Sequence, residues 1–176
     1  MTPDPSAPNP GQAQLFLDDT WIDNHARVQR VWHPAKKYHR PVLESEHPWE
    51  DRYAVAYGSV MYREGRLQMW YMGFNRTGRN CACYAESEDG LRWRKPVLRL
   101  HEVYGTRENN VVVVPRSPGG GLDDLTVIDD PGDSDWPLKM LYWDGGVRDA
   151  QDRYPDRGYW AARSRDGIRW EIIGNV

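Results

Sequence analysis

Ala85-Glu86-Ser87-Glu88-Asp89-Gly90-Leu91-Arg92-Trp93 returns 77 residues later as Ala162-Arg163-Ser164-Arg165-Asp166-Gly167-Ile168-Arg169-Trp170. Upstream of each copy stands a second matched pair, Leu67-Gln68-Met69-Trp70-Tyr71 and Leu138-Lys139-Met140-Leu141-Tyr142, in the same order and 71 residues apart. A repeat of about 70 residues holding several short strands suits a propeller blade with insertions, and is far too long for a helical or leucine-rich repeat.

Working outward from these units, period-2 alternation and turn residues divide each repeat into four strands. In the first they are Ala54–Tyr62, Leu67–Gly73, Ala82–Ser87 and Leu91–Arg94, with a turn at Arg63-Glu64-Gly65. In the second they are Leu125–Asp129, Lys139–Trp143, Gly158–Ser164 and Ile168–Ile172, with a loop at Asp130-Pro131-Gly132-Asp133. Asp89-Gly90 and Asp166-Gly167 read as type I′ hairpin turns, in which Asp also accepts nearby backbone N–H groups. Their recurrence makes both aspartates structural, and Trp93 and Trp170 read as inter-blade packing. Val111–Val114, uniformly β-branched, is expected as a strand or extended connection buried on both sides. Gln14–Val31 alternates weakly and reads as an additional outer strand. The fold class is all-β: about two four-stranded antiparallel blades, 53–98 and 122–176, of an incomplete propeller spanning 15–176, after a flexible tail at 1–14.

Composition agrees with β structure. The 176 residues include 9 Trp and 10 Tyr against 2 Phe, with 39% hydrophobic and 28% charged residues. Aromatics at 12% exclude a disordered chain, and no apolar run approaches the roughly 18 to 20 residues of a membrane span. With a net charge of −3 and no basic stripe, neither nucleic acid nor an anionic membrane is an expected partner. Met1–Gln14 has no basic start or apolar stretch, so it is not a secretory signal and the default location is cytoplasmic, or secreted or periplasmic if a signal was removed. Cys81 and Cys83 share one face of a strand and read as reduced, partly packed thiols.

The same pass excludes several chemistries. His25, His33, His39, His47 and His101 are scattered without metal-ligand spacing, and no Gly-x-Ser-x-Gly nucleophile elbow occurs. Gly119-Gly120-Gly121 precedes a strand and not a helix, which disfavours a phosphate cradle. No metal and no cofactor are called for.

Gly58-Ser59-Val60-Met61-Tyr62, Leu67 to Tyr71, Cys83 to Trp93, Glu108-Asn109-Asn110-Val111-Val112 and the second repeat together resemble the N-terminal part of five-bladed β-propeller glycoside hydrolases. The set is similar to the family 32 N-terminal domain, the invertase and levanase group, over roughly Leu15 to Val176. That resemblance implies carbohydrate as partner and hydrolysis of glycosidic bonds by three inner-strand carboxylates. One sits on each of the first three blades, serving an oxocarbenium-like transition state and a leaving oxygen that needs a proton.

The second-blade carboxylate of the family opens its strand within Arg-Asp-Pro. Asp124 holds that place here, with Asp123 for the Arg and Leu125 for the Pro. Asp130, before Pro131, is the alternative, but it lies at the far end of the strand, in a turn. At the first-blade position stands Val55, so Glu50 or Asp51 upstream would have to substitute. Trp49 and Asp123 are the candidate sugar-contacting residues. A ring of five blades needs roughly twice this length, so the third-blade acid is expected to be absent and this chain alone inactive. Open blade edges would favour self-association, and the competing reading is a noncatalytic carbohydrate-binding or structural propeller segment.

Overall fold

The protein is described from a computed structural model that covers residues 18–19, 22, 24 and 26–176. The expected tail at 1–14 lies outside these residues. Of the Gln14–Val31 segment, the described part carries no strand. The chain divides after Lys37. In the earlier unit Arg30 donates to the Asp18 carbonyl at 2.7 Å and pairs with the Asp19 carboxylate.

From Tyr38 onward the alternating segments form eight strands: β1 (Tyr53–Arg63), β2 (Arg66–Phe74), β3 (Cys81–Ser87), β4 (Val111–Val113), β5 (Leu122–Asp129), β6 (Leu138–Asp144), β7 (Gly158–Ser164) and β8 (Trp170–Asn175). They make two antiparallel four-stranded sheets, β1-β2-β3-β4 and β5-β6-β7-β8, each a meander in chain order. This is the expected two-blade architecture. Among the described residues the only helix is the 3-10 turn Pro48–Glu50.

The core explains why the strands differ in sequence character. Trp70, Met72, Ala82 and Tyr84 of the first sheet interlock with Leu125, Val127, Leu138, Met140 and Tyr142 of the second. On its other face the first sheet turns Met69, Tyr71, Cys81, Cys83 and Val111 toward Trp49, Leu43 and Trp93. Covered on both faces, β3 is buried at every residue, as continuous apolar strands are. β6, covered on one face, alternates instead and leaves Leu141 36% exposed. Trp170 lies between the sheets as expected, in T-shaped contact with Trp70 at 6.3 Å. Trp93 packs on the opposite face of the first sheet. The Cys81 and Cys83 thiols are free and buried with sulfurs 3.8 Å apart.

Two local expectations are corrected. Leu91–Arg94 is not a strand. Arg94 makes a single bridge to Glu86, the chain then leaves the sheet, and Val111–Val113 supplies the fourth strand by pairing with Ala82 and Cys83. Glu171 faces Arg163 in the second sheet as Arg94 faces Glu86 in the first, so the outer strand begins at the same place in both. Pro96 ends it early in the first, because it lacks the N–H the ladder requires. The second correction concerns the Asp-Gly turns, where only the glycines take positive φ, +73° at Gly90 and +74° at Gly167.

The repeated motif is a capped turn rather than type I′. Asp89 Oδ1 accepts the amides of Leu91 and Arg92, both at 2.8 Å, and Asp166 Oδ1 accepts those of Ile168 and Arg169 at 2.9 and 2.8 Å. Ser87 and Ser164 Oγ each accept the glycine amide at 2.9 Å, and each following tryptophan donates its indole N–H to the glycine carbonyl at 3.0 Å. Amides of Arg92 and Leu91 hold the Asp89 carboxyl below its ordinary range. At Asp166 burial pushes upward but is outweighed by the Arg169 and Ile168 amides.

Asp166→Ala is expected to cost about 1 kcal/mol, as for loss of a side-chain cap, read from the urea midpoint. A carboxyl whose pKa is lowered by folding contributes stability above its ordinary value that is lost as pH falls through the folded value. The gap between wild type and Asp166→Asn should therefore narrow below about pH 4.

Candidate functional site

β1 and β5 are the inner strands, and side-chain contacts set them alongside one another in the same direction. Ser59 Oγ lies 3.5 Å from Thr126 Oγ1 and accepts the Val127 amide at 2.8 Å, while Arg63 pairs with Asp129 at 3.3 Å farther along. Both strands therefore start at one end of the sheets. Each also breaks register near its start, β1 between Val55 and Ser59 and β5 between Asp123 and Thr126. Such bulges bend a strand and re-aim its side chains.

Asp124 sits on the β5 bulge with φ +43°, in the left-handed region, and its side chain is exposed. Asp tolerates this backbone better than most residues. Its neighbour Asp123 is half-buried, and its carboxyl is raised above the usual range by burial and then by the Asp124 charge. Asp123 therefore holds its proton to higher pH than an ordinary aspartate, beside the exposed Asp124. Asp51 lies at the same end, exposed, accepting the Arg76 amide at 2.8 Å just before β1 begins.

Glu50 and Trp49 are placed elsewhere. Glu50 is fully buried, its carboxylate taking Lys95 Nζ at 2.8 Å, the Glu46 amide at 3.0 Å and the Tyr71 hydroxyl. Trp49 is 2% exposed and spends its indole N–H on Asn110 Oδ1 at 3.0 Å. Turned to these internal partners, Glu50 presents no free carboxylate and Trp49 no open ring face to solvent. Asp130 is a turn residue, accepting the Gly132 amide at 3.1 Å.

The bulge on β1 brings in a residue that the alternation pattern did not single out. Tyr57 is 59% exposed there, beside Gly58, where any Cβ would run into the Trp70 carbonyl of β2. Its only sequence signal was a break in period-2 alternation. Asp144, buried at the end of β6, accepts the Arg116 and Gly146 amides at 2.8 Å each and anchors the connection into the second sheet. Among the described residues no three His, Cys, Asp or Glu side chains converge as a metal site, and no helix is long and apolar enough to cross a membrane.

No protein-family model matches the chain, and no curated protein does. Among solved structures it is similar to sucrose-6-phosphate hydrolase from Lactobacillus gasseri, at 17% identity and a TM-score of 0.55, over 78% of this chain and 25% of that one. It is also similar to β-1,2-mannobiose phosphorylase from Listeria innocua in complex with β-1,2-mannobiose, at 9% identity and a TM-score of 0.51, over 79% of this chain and 33% of that one. The chain thus spans about a quarter to a third of the length of these structures. The likeness is one of fold: the two four-stranded sheets are two blades of a β-propeller.

Proposed function

We propose that the chain is part of a glycoside-hydrolase-like propeller acting on the glycosidic bonds of carbohydrate, with Asp124 as its second-blade carboxylate. The observation that carries this reading is the β5 bulge, which presents Asp124 in a left-handed conformation at the start of an inner strand. There the Asp124 side chain would lie beneath the positive charge of an oxocarbenium-like transition state, and Asp123 would hydrogen-bond a sugar hydroxyl. Asp51 is the first-blade carboxylate still open to solvent, and Tyr57 offers an aromatic surface to an apolar sugar face. The propeller resemblance and the folds of the two solved relatives support the substrate class.

A second reading, noncatalytic carbohydrate binding, is favoured by the burial of Glu50 and by Val55 at the family's nucleophile position. One experiment addresses both. The purified 176-residue chain is assayed on a panel of fructosides, arabinosides and mannosides, and the same sugars are titrated while the Asp123 and Asp124 amides are followed by NMR. The expected outcome is saturable shifts at these amides, weakened about tenfold in Asp124→Ala, without turnover. Shifts that survive Asp124→Ala would remove the assigned site, and turnover abolished by Asp124→Asn would overturn the expectation of inactivity.

A further inference from the structure

The excursion between Arg94 and β4 has no counterpart in the second sheet, where β8 runs on directly from the capped turn. It is held in a defined shape. Asn109 donates to the His101 and Thr106 carbonyls at 2.9 and 3.0 Å, and His101 Nε2 lies 3.1 Å from the Val112 carbonyl. At its tip Val103 and Thr106 exchange two backbone hydrogen bonds around Tyr104 and Gly105, with φ +53° and +75°. That is a type I′ turn, whose first central position ordinarily takes Asn, Asp or Gly. A tyrosine there is strained, and such strain persists where the surroundings hold it. Tyr104 is 41% exposed, with its hydroxyl 3.0 Å from Thr77 Oγ1.

Between this tip, the β2–β3 loop and the linker into β5 lies a cavity of about 210 Å³, lined among others by Arg79, Glu102, Tyr104, Pro115 and Ser117. The loop is fixed by Asn75, whose Oδ1 accepts the Thr77 and Arg79 amides at 2.9 and 3.2 Å, and the linker by the Leu122 amide on the Asn80 carbonyl at 3.1 Å. Among the described residues the Arg79 guanidinium and the Glu102 carboxylate form no ion pair or side-chain hydrogen bond, with each other or with any other group. Within the same excursion Arg99 and Glu108 are paired with each other at 2.7 Å.

We propose that this cavity is an accessory subsite for one neutral sugar ring, on the outer rim of the first blade. It lies at the same end as Asp123 and Asp124, because β3 and β5 both start there. Drug-sized ligands take about 300–1,000 Å³, so a cavity of about 210 Å³ accepts a single ring. The charges choose its chemistry: Glu102 repels an anion and Arg79 a cation, while together they offer an acceptor and a donor to adjacent hydroxyls. Tyr104 and Pro115 supply the apolar wall. The proposal rests on the carbohydrate reading for its ligand class, while its geometry is independent of Asp124.

The test titrates the 176-residue chain with methyl β-D-mannopyranoside, methyl β-D-galactopyranoside and D-fructose, with inorganic phosphate as the charged control, following backbone amides by NMR. At least one sugar is expected to shift the amides of Glu102, Tyr104 and Ser117 saturably. Glu102→Gln and Tyr104→Ala should each weaken this by about tenfold at unchanged unfolding midpoint, and Asp124→Asn should leave it unaltered. Rim amides that no sugar moves, that only phosphate moves, or that respond in Tyr104→Ala and Glu102→Gln as they do in the wild type would overturn the subsite. If Asp123 and Asp124 shift and the rim does not, the subsite fails while the carbohydrate reading stands. The reverse pattern keeps the subsite and removes the assigned inner-strand site.

Discussion

Glu50→Ala is expected to destabilise the chain by about 3–5 kcal/mol, the usual cost of stranding one partner of a buried ion pair. Glu50 is fully buried and the Lys95 side chain is 4% exposed, so the ammonium left behind would keep only the solvent-facing Glu46 carboxylate at 3.3 Å and the Glu44 carbonyl and could not recover its hydration. Two more donors converge on the same carboxylate, the Glu46 amide and the Tyr71 hydroxyl, and Asn110 continues the network by donating to Tyr71 at 2.8 Å. Burial raises the Tyr71 pKa well above its ordinary value, which keeps that hydroxyl a donor. Urea unfolding of Glu50→Ala, Lys95→Met and the double variant Glu50→Leu/Lys95→Met checks the account. Each single change should be severe, and the double should recover most of the loss, because two apolar side chains leave no unpaired charge. A Glu50→Ala change within about 0.5 kcal/mol of wild type, the range of ordinary surface substitutions, would contradict the structural role and reopen the catalytic one.

Trp70→Ala is the second large expected effect, at about 3–5 kcal/mol. The indole is fully buried, packs between the two sheets, and donates to the Gly167 carbonyl at 2.6 Å. That one carbonyl also takes the Trp170 indole, so the capped turn of the second sheet is tied to the core of the first. A Cβ on Gly167 would come within 2.5 Å of the Trp70 ring, so this glycine is required by close approach as well as by its positive φ. Trp70→Phe should keep part of the packing and lose the hydrogen bond, giving a smaller loss than Trp70→Ala. Hydrogen exchange separates the effects, with Trp70→Ala raising exchange in β6 and β7 as well as β2. A loss confined to the first sheet would show that the sheets do not depend on this contact.

Much of the architecture was legible along the chain because its causes are local. Alternation of period two marked β2, β3, β6 and β7 to within a residue or two, and the Ser-x-Asp-Gly repeat marked the turns whose amides its own side chains cap. The fourth strand of the first sheet was misplaced because pairing along a sheet edge is decided by the neighbouring strand. Arg94 and Val111 both fit the edge of β3, and Pro96 sends the chain away between them.

For the candidate site, the resemblance placed Asp124 at the start of a strand, but the left-handed bulge it occupies was not legible. The partner of Glu50 was invisible for a related reason, since Lys95 lies 45 residues away and only the packing of the first sheet brings the two together. Trp49 and Glu50 illustrate the division. The sequence by itself determined a Trp- and Tyr-rich chain of two four-stranded units with capped turns, because strand period and turn chemistry act over a few residues. Only the tertiary structure decided which aromatics and carboxylates face solvent, because burial depends on what the rest of the chain lays over them.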